Sequence, residues 1–170
     1  GFAAVSRASF SIGGQIIDTM YNHYLHMWEE LSGQPGKRLE EMIGKRETVA
    51  ALVADSQITR RLYVPLPFYF TRHSGNALPL VSLQFHSMDV HVCFAPLVKL
   101  IQVSDCDAKV VRCSDGQVVQ NTDINAMLDT TYVYLDMEER DRFATGSFQQ
   151  LITQVQQYSS TSRNGTVNAQ

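Results

Sequence analysis

Histidines are the side chains of this chain best suited to bind a metal ion. His86 and His91 lie in one segment of alternating apolar and polar residues, and His23 and His26 have the spacing that places them on one helical turn. A zinc site needs three or four protein ligands, and we identify no third ligand for either pair. We therefore predict no metal site and no cofactor.

Cysteine is the other residue type that could carry chemistry. Cys93, Cys106 and Cys113 are too few and too widely spaced for a disulfide framework. None lies at a predicted helix N-terminus or beside a basic cluster, the settings that activate a thiol as a nucleophile. We expect Cys93 to pack as a small apolar residue in a strand, and we predict that the chain is not an enzyme.

An aromatic stripe could bind a ligand or a partner. Tyr21, Tyr24 and Trp28 recur at helical spacing, so they share one face of a predicted helix. Such a face is typical of packing, but the same rings could also form a platform that binds carbohydrate.

Net charge and hydropathy bear on two further classes of partner. The 170-residue chain has a formal charge of −3 and a pI near 5.9, and its basic residues form no run longer than two. Direct binding of nucleic acid needs a basic patch, so we expect that the chain does not bind nucleic acid directly. No apolar run approaches the roughly 18 residues that span a bilayer, so we predict no transmembrane segment.

Asn164 begins an Asn-Gly-Thr sequon and is a candidate glycosylation site.

Period-two alternation of apolar residues predicts the strands. The first strand covers residues 4–12 and ends at Gly13–Gly14, and a second covers 62–70. Between residues 81 and 94 the apolar positions change from odd to even, which we interpret as a β-bulge near His86–Ser87, with two separate short strands as the alternative. Further strands are expected at 97–103, at 110–119 around an Asp115–Gly116 turn, and at 130–135.

Helical spacing and capping residues predict a helical insertion after the first strand. Asp18 is expected to cap a helix that ends at Gly33. Shorter helices are expected at 37–43, with Gly44 as the stop, and at 47–54. Residues 13–61 are therefore predicted to be this insertion.

Two capping patterns predict helices near the other end of the chain. Asp136 and Glu139 have the spacing of a capping box before a short helix. Ser147 and Gln150 repeat the pattern before a final helix that would extend to Val155.

Four segments in the same order resemble the major capsid proteins of nucleocytoplasmic large DNA viruses, which are built as double jelly rolls. The segments are SIGGQIIDTMYNHYLHMWEEL at 11–31, EEMIG at 40–44, PLPFYFTRHSGNALPLVSLQFHSMDVHV at 65–92 and TYVYLDMEERDRFA at 131–144. Each segment alone is a weak signal, whereas four in order span most of the chain.

This resemblance implies an all-β fold, a jelly-roll β-sandwich with helical insertions and a C-terminal helix. Residues 1–158 would be the first jelly-roll domain, lacking its first one or two strands, as in a piece of a longer protein. Residues 159–170 would be a polar linker toward a second jelly roll that is not part of this chain.

The resemblance also implies a structural function. The protein would form a homotrimer that tiles an icosahedral shell, with neighbouring capsomers and minor capsid proteins as partners. It would be located in the virion after assembly in the host cytoplasm. The acidic and arginine residues at 138–142 would make interfacial ion pairs or a solvated helix turn. The inserted loops would supply the intersubunit surface, for which the candidates are Tyr24, Trp28, Met42, Arg72, His73 and Asn76.

Two other functions remain open from the sequence. A carbohydrate-binding jelly-roll module would use exposed aromatic residues on a monomer. A cupin-like metalloenzyme would need a bound transition metal.

Overall fold

The computed structural model describes residues 1–33, 36, 39–100, 125–147 and 149–158 of the chain. These residues form one antiparallel sheet and several short helices. In chain order, the elements are β1 (Val5–Ile12), β2 (Gln15–Tyr21), α1 (Asn22–Ser32), α2 (Glu40–Ile43), α3 (Val49–Ser56), α4 (Tyr69–Arg72), β3 (Met88–Phe94), α5 (Leu97–Leu100) and α6 (Met137–Thr145), with 3-10 turns at Phe2–Ala4 and Ser74–Asn76.

The sheet has the order β2-β1-β3, so β1 is its central strand. Gly13 and Gly14 join β1 to β2 with φ angles of 58° and 82°. A type I′ hairpin turn requires positive φ at both central residues, which glycine adopts without strain. The predicted first strand and its end at Gly13–Gly14 are therefore confirmed, but the turn leads into β2 and not into the expected helix. Ile17 is an extra residue in β2, because Phe10 pairs with Asp18 whereas Ser11 pairs with Ile16.

The hydrophobic core forms around β1. As the central strand, β1 is covered on both faces, and its residues from Ala8 to Ser11 are all buried. The ring of Phe10 lies 4.7 Å from Phe70 and 6.0 Å from Phe68, measured between centroids. Burying one such side chain stabilises a fold by about 1.5–3 kcal/mol. The buried apolar residues are Phe2, Val5, Ala8, Phe10, Met20, Leu25, Ile43, Phe68 and Tyr69.

Asp18 is a strand residue, and its prediction as a helix cap was wrong. It lies in β2 and is only 3% exposed. The preceding isoleucines and Thr19 are β-branched, which favours an extended backbone. Helix α1 starts four residues later, at Asn22, and ends before Gly33 as predicted. The helical part of the predicted 13–61 insertion therefore follows a β-hairpin rather than the first strand directly.

Gly44 and the Asp136–Glu139 pair mark helix ends as predicted, and Thr48 marks a further one. Gly44 ends α2 with a φ of 70°, the left-handed conformation typical of a helix stop. Thr48 caps α3, because its side chain accepts a hydrogen bond from the N–H of Ala51. Asp136 and Glu139 form the predicted capping box at the start of α6.

Residues 62–70 do not form the predicted strand. Residues 61–68 have no strand pairing among the described residues, and α4 begins at Tyr69. Pro65 and Pro67 have no N–H to donate to a neighbouring strand. The N–H of Phe68 instead bonds locally to the carbonyl of Leu66 at 2.9 Å. The alternation of apolar and polar residues therefore belongs to an irregular segment that buries Phe68, and not to a strand of the sheet.

The predicted bulge near His86–Ser87 was also wrong. Residues 80–85 form consecutive turns, in which Leu83 donates to Pro79 and His86 donates to Leu83. Strand β3 begins only at Met88. The change of phase therefore marks the boundary between a turn segment and a strand.

Three more elements differ from the sequence-based prediction. Residues 97–100 form helix α5 rather than a strand, and residues 130–135 have no strand pairing among the described residues. Residues 149–158 are not helical, so the predicted final helix is absent from them. The Asp115–Gly116 turn, Asn164, Cys106 and Cys113 lie outside the described residues.

The 149–158 segment instead runs along β2 and the second 3-10 turn. The side-chain amide of Gln150 donates to the carbonyl of Asn76 at 2.8 Å, and that of Gln154 donates to Ile17 at 2.6 Å. The N–H of Val155 donates to Asp18 Oδ1 at 3.2 Å. These polar contacts hold the segment against the β1–β2 hairpin.

Candidate intersubunit surface

Arg72 lies at the end of the short helix α4 and is held in place by three contacts. Its Nε donates to the carbonyl of Pro67 at 3.0 Å, and its Nη2 donates to Tyr24 Oη at 3.1 Å. Its guanidinium carbon lies 4.1 Å from the ring centroid of Trp28, which is cation–π geometry. The guanidinium is therefore held on α1 although Arg72 itself is exposed.

Tyr24 and Trp28 share one face of α1, as their spacing predicts. Their ring centroids are 6.1 Å apart, with 35° between the ring planes. Together with Arg72 they form one group, which we call the Arg72 cluster. Three of the six candidate intersubunit residues are thus brought together.

The other three candidates take no part in the contacts of this cluster, although His73 directly follows Arg72 in the chain. Met42 is 43% exposed on α2. His73 Nδ1 accepts a hydrogen bond from the N–H of Gly75 and so caps the second 3-10 turn. Asn76 ends that turn. In the described part of the chain, no hydrogen bond or ring contact connects Met42, His73 or Asn76 to the Arg72 cluster.

The cluster geometry weakens the carbohydrate-platform hypothesis. A sugar stacks on an open aromatic face, but one face of Trp28 is already covered by the guanidinium of Arg72. The hydroxyl of Tyr24, a polar group that could bind a sugar, already accepts a hydrogen bond from Arg72. The arrangement is better suited to present a fixed positive charge.

Glu29 and Glu30 are metal-ligand candidates that the sequence analysis missed. Ligand atoms of His26, Glu29 and Glu30 lie within 4.8 Å of one another. Lys45, however, already forms an ion pair with Glu30. The hydrogen bond and charge of this ammonium lower the pKa of Glu30, and the same hydrogen bond raises the pKa of Lys45. The i, i+3, i+4 spacing from His26 is a signal that could have identified the group.

His86 and His91 belong to different structural segments. His86 lies in a bend before β3, whereas His91 lies within β3. The prediction that Cys93 packs as a small apolar residue was wrong, because Cys93 is exposed. Its Sγ accepts a hydrogen bond from Arg7 Nη2 at 3.6 Å. In the described ranges no helix is long and apolar enough to cross a bilayer.

Comparison with protein families gives a match over most of the chain. The family model for the major capsid protein N-terminus matches residues 1–136. The chain is 35% identical over 167 residues to capsid protein 1 of Acanthamoeba polyphaga mimivirus, covering 92% of this chain and 27% of that protein. It is 32% identical over 161 residues to the major capsid protein of Pyramimonas orientalis virus, covering 92% of this chain and 36% of that protein.

Solved structures give a matching fold. The crystal structure of PBCV-1 VP54, fitted into a cryo-EM reconstruction of the virophage Sputnik, aligns with a TM-score of 0.51 and 24% identity. The alignment covers 91% of this chain and 35% of that protein. VP54 is a double jelly roll, so the likeness confirms the predicted jelly-roll β-sandwich. The chain spans roughly a third of the length of the relatives it matches.

Proposed function

This chain belongs to the major capsid protein N-terminus family, and from this membership we propose that it forms the first jelly roll of a capsid subunit. The subunit assembles as a homotrimer, and trimers tile an icosahedral virus shell. The observation that carries the proposal is the family match over residues 1–136. The family is structural, so the prediction that the chain is not an enzyme is confirmed.

The proposed domain covers residues 1–158, and residues 159–170 link it to a second jelly roll. The support is the length of the relatives, of which this chain covers 27% and 36% in the two curated cases. The 149–158 segment fits this arrangement, because its contacts with Ile17, Asp18 and Asn76 give the linker a fixed starting point.

The proposed intersubunit surface contains all six candidates: Tyr24, Trp28, Met42, Arg72, His73 and Asn76. Trp, Tyr and Arg are the residue types that contribute most to binding at protein interfaces, and the Arg72 cluster contains one of each. A stable interface buries about 800 Å² on each partner, so the surface must also include residues around the cluster.

The wider assembly follows from the same proposal. Neighbouring capsomers and minor capsid proteins are the partners, the virion is the location, and assembly takes place in the host cytoplasm. The formal charge of −3 supports an absence of direct genome contact, because phosphate binding requires a basic surface.

The test of this function is the oligomeric state of the protein expressed from its complete gene. Light scattering coupled to gel filtration should give the mass of a trimer, and cryo-electron microscopy of purified virions should place the same protein in the shell. A monomer at micromolar concentration, or a protein missing from virions, would overturn the proposal.

Single substitutions then test the surface. Met42→Asp places a charge on the proposed interface and should weaken the trimer. Met127→Asp is the matched control, because Met127 is 77% exposed and lies outside the six candidates. Equal trimer stability for the two variants would remove Met42 from the interface.

A further inference from the structure

Arg72 is a positive charge that is oriented but not neutralised. A guanidinium has five N–H donors, and Arg72 uses two of them, toward Pro67 and Tyr24. Among the described residues the other three have no acceptor, and no carboxylate forms an ion pair with Arg72. Arg46 and Arg60 differ in this respect, because both bond to Asp55.

The orientation of Arg72 favours binding of a carboxylate. The ring of Trp28 lies against the guanidinium, and the bonds to Pro67 and Tyr24 restrict its rotation. A side chain already held in one geometry loses less conformational entropy when it binds. The remaining donors of Arg72 could therefore bind a carboxylate in the two-bond geometry typical of arginine.

Helix α6 presents two carboxylates that have no ion-pair partner among the described residues. Glu138 and Asp141 are exposed and three residues apart, so they lie on the same side of the helix. Within the described part of the chain neither forms an ion pair. The Asp136–Glu139 capping box fixes the start of the helix, and therefore the backbone positions from which these two side chains extend.

Symmetry provides a reason why two different patches should exist on one chain. A cyclic trimer needs a heterologous interface, in which one patch of each subunit binds a different patch of the next. The Arg72 cluster and the pair of carboxylates at Glu138 and Asp141 on α6 are two such groups of opposite charge. No ion pair joins them within the described residues of one copy.

We propose that Arg72, held by Tyr24 and Trp28, binds the carboxylates of Glu138 and Asp141 on α6 of a neighbouring copy of this chain. The inference rests on the proposed trimer and specifies its contact. The occupant is therefore a second copy of the chain.

Charge reversal in the full-length protein tests this contact. Arg72→Glu should raise the dissociation constant of the trimer at least tenfold, and Glu138→Arg combined with Asp141→Arg should do the same. All three changes together should restore most of the affinity, because the charges are exchanged. The measurement is light scattering over a concentration series, at low and high salt, and the coupling should shrink at high salt.

A matched control separates this contact from general charge effects. Asp89 is an exposed carboxylate on β3, so Asp89→Arg should not rescue Arg72→Glu. Rescue by Asp89→Arg instead of the α6 changes would overturn the choice of α6. Arg72→Glu could lose its cooperative melting transition, which would show that it does not fold. In that case Glu138→Arg combined with Asp141→Arg tests the contact alone, because both residues are exposed. An unchanged dissociation constant of the trimer for this double variant would refute the proposal.

The outcomes also separate this inference from the proposed function. A wild-type trimer that tolerates Arg72→Glu without change leaves the capsid function standing and removes the Arg72 contact. A wild-type monomer removes the capsid proposal itself, together with the inference built on it.

Discussion

Asp18 Oδ1 accepts a hydrogen bond from the backbone N–H of Val155 at 3.2 Å, although 137 residues separate the two in sequence. The same oxygen accepts from the N–H of Thr19 at 2.9 Å. Because Asp18 is only 3% exposed, this carboxylate is a buried attachment point between the β1–β2 hairpin and the 149–158 segment.

Asp18→Ala should therefore loosen the 149–158 segment. The substitution leaves the N–H groups of Thr19 and Val155 without their acceptor, which should lower the free energy of unfolding by about 1–3 kcal/mol. Hydrogen exchange at Val155 should accelerate. Asp18→Asn is the control, because its side-chain oxygen can still accept both bonds. Equal exchange at Val155 in the two variants would show that Asp18 does not hold the segment.

Stability at alkaline pH should depend on Tyr69. Burial raises the pKa of Tyr69 above its ordinary 10.0, and the charge of Asp18 raises it further. The stabilising contribution is therefore complete below pH 10 and is lost as the pH rises through the higher folded-state pKa. One proton limits the slope to about 1.4 kcal/mol per pH unit.

The measurement is the urea midpoint between pH 8 and pH 11. Tyr69→Phe should reduce the loss of stability at the alkaline end of this range. Tyr134→Phe should not, because Tyr134 is 93% exposed. The same alkaline slope in both variants would contradict this role of Tyr69.

Alanine should be tolerated less well at Gly13 than at Gly14. Both residues have positive φ, which costs other residues roughly 1–2 kcal/mol. A Cβ at Gly13 would also lie 3.0 Å from His86 Cδ2, whereas a Cβ at Gly14 would meet nothing within 4 Å. Thermal unfolding should show Gly13→Ala as the less stable variant. Adding His86→Ala should remove the difference, and a difference that persists would exclude the contact as its cause.

The ion pairs of Asp55 should stabilise the region around α3. Asp55 Oδ2 bonds to Arg46 Nε at 2.6 Å and to Arg60 Nη1 at 2.9 Å. Asp55→Asn should lower the free energy of unfolding by about 1 kcal/mol, with a smaller effect in high salt. Arg60→Gln breaks only the more exposed pair and should cost less. The check is urea denaturation at two salt concentrations. Equal losses of unfolding free energy for the two variants would show that the Arg46–Asp55 ion pair contributes nothing.

Signals that act over a few residues were read correctly from the sequence. The end of the first strand at Gly13–Gly14, the Gly44 helix stop and the Asp136–Glu139 capping box each depend on one or two residues close together in the chain. The helical stripe that brings Tyr24 beside Trp28 is equally local. The fold class came from four ordered segments, whose agreement does not depend on each strand being correct.

Elements that depend on distant partners were not predictable in this way. Asp18 suits a helix cap as well as a buried strand position, and its contact with Val155 decides between them. Residues 62–68 alternate as a strand does, but no neighbouring strand pairs with them among the described residues. Arg72 reaches Tyr24 across 48 residues, so the sequence suggested both residues as surface candidates without indicating that they touch.

The sheet order has a consequence for folding during synthesis. The β1–β2 hairpin can form as soon as Tyr21 has left the ribosome, but the other edge of β1 pairs with β3, which ends at Phe94. About 70 residues must be added in between, which at 5–20 residues per second takes roughly 4 to 15 s. During that interval the unpaired edge of β1 can pair with strands of other nascent chains. Chains made close together on one messenger RNA are therefore at most risk of misassembly, and a chaperone that covers this edge should raise the yield of native subunits.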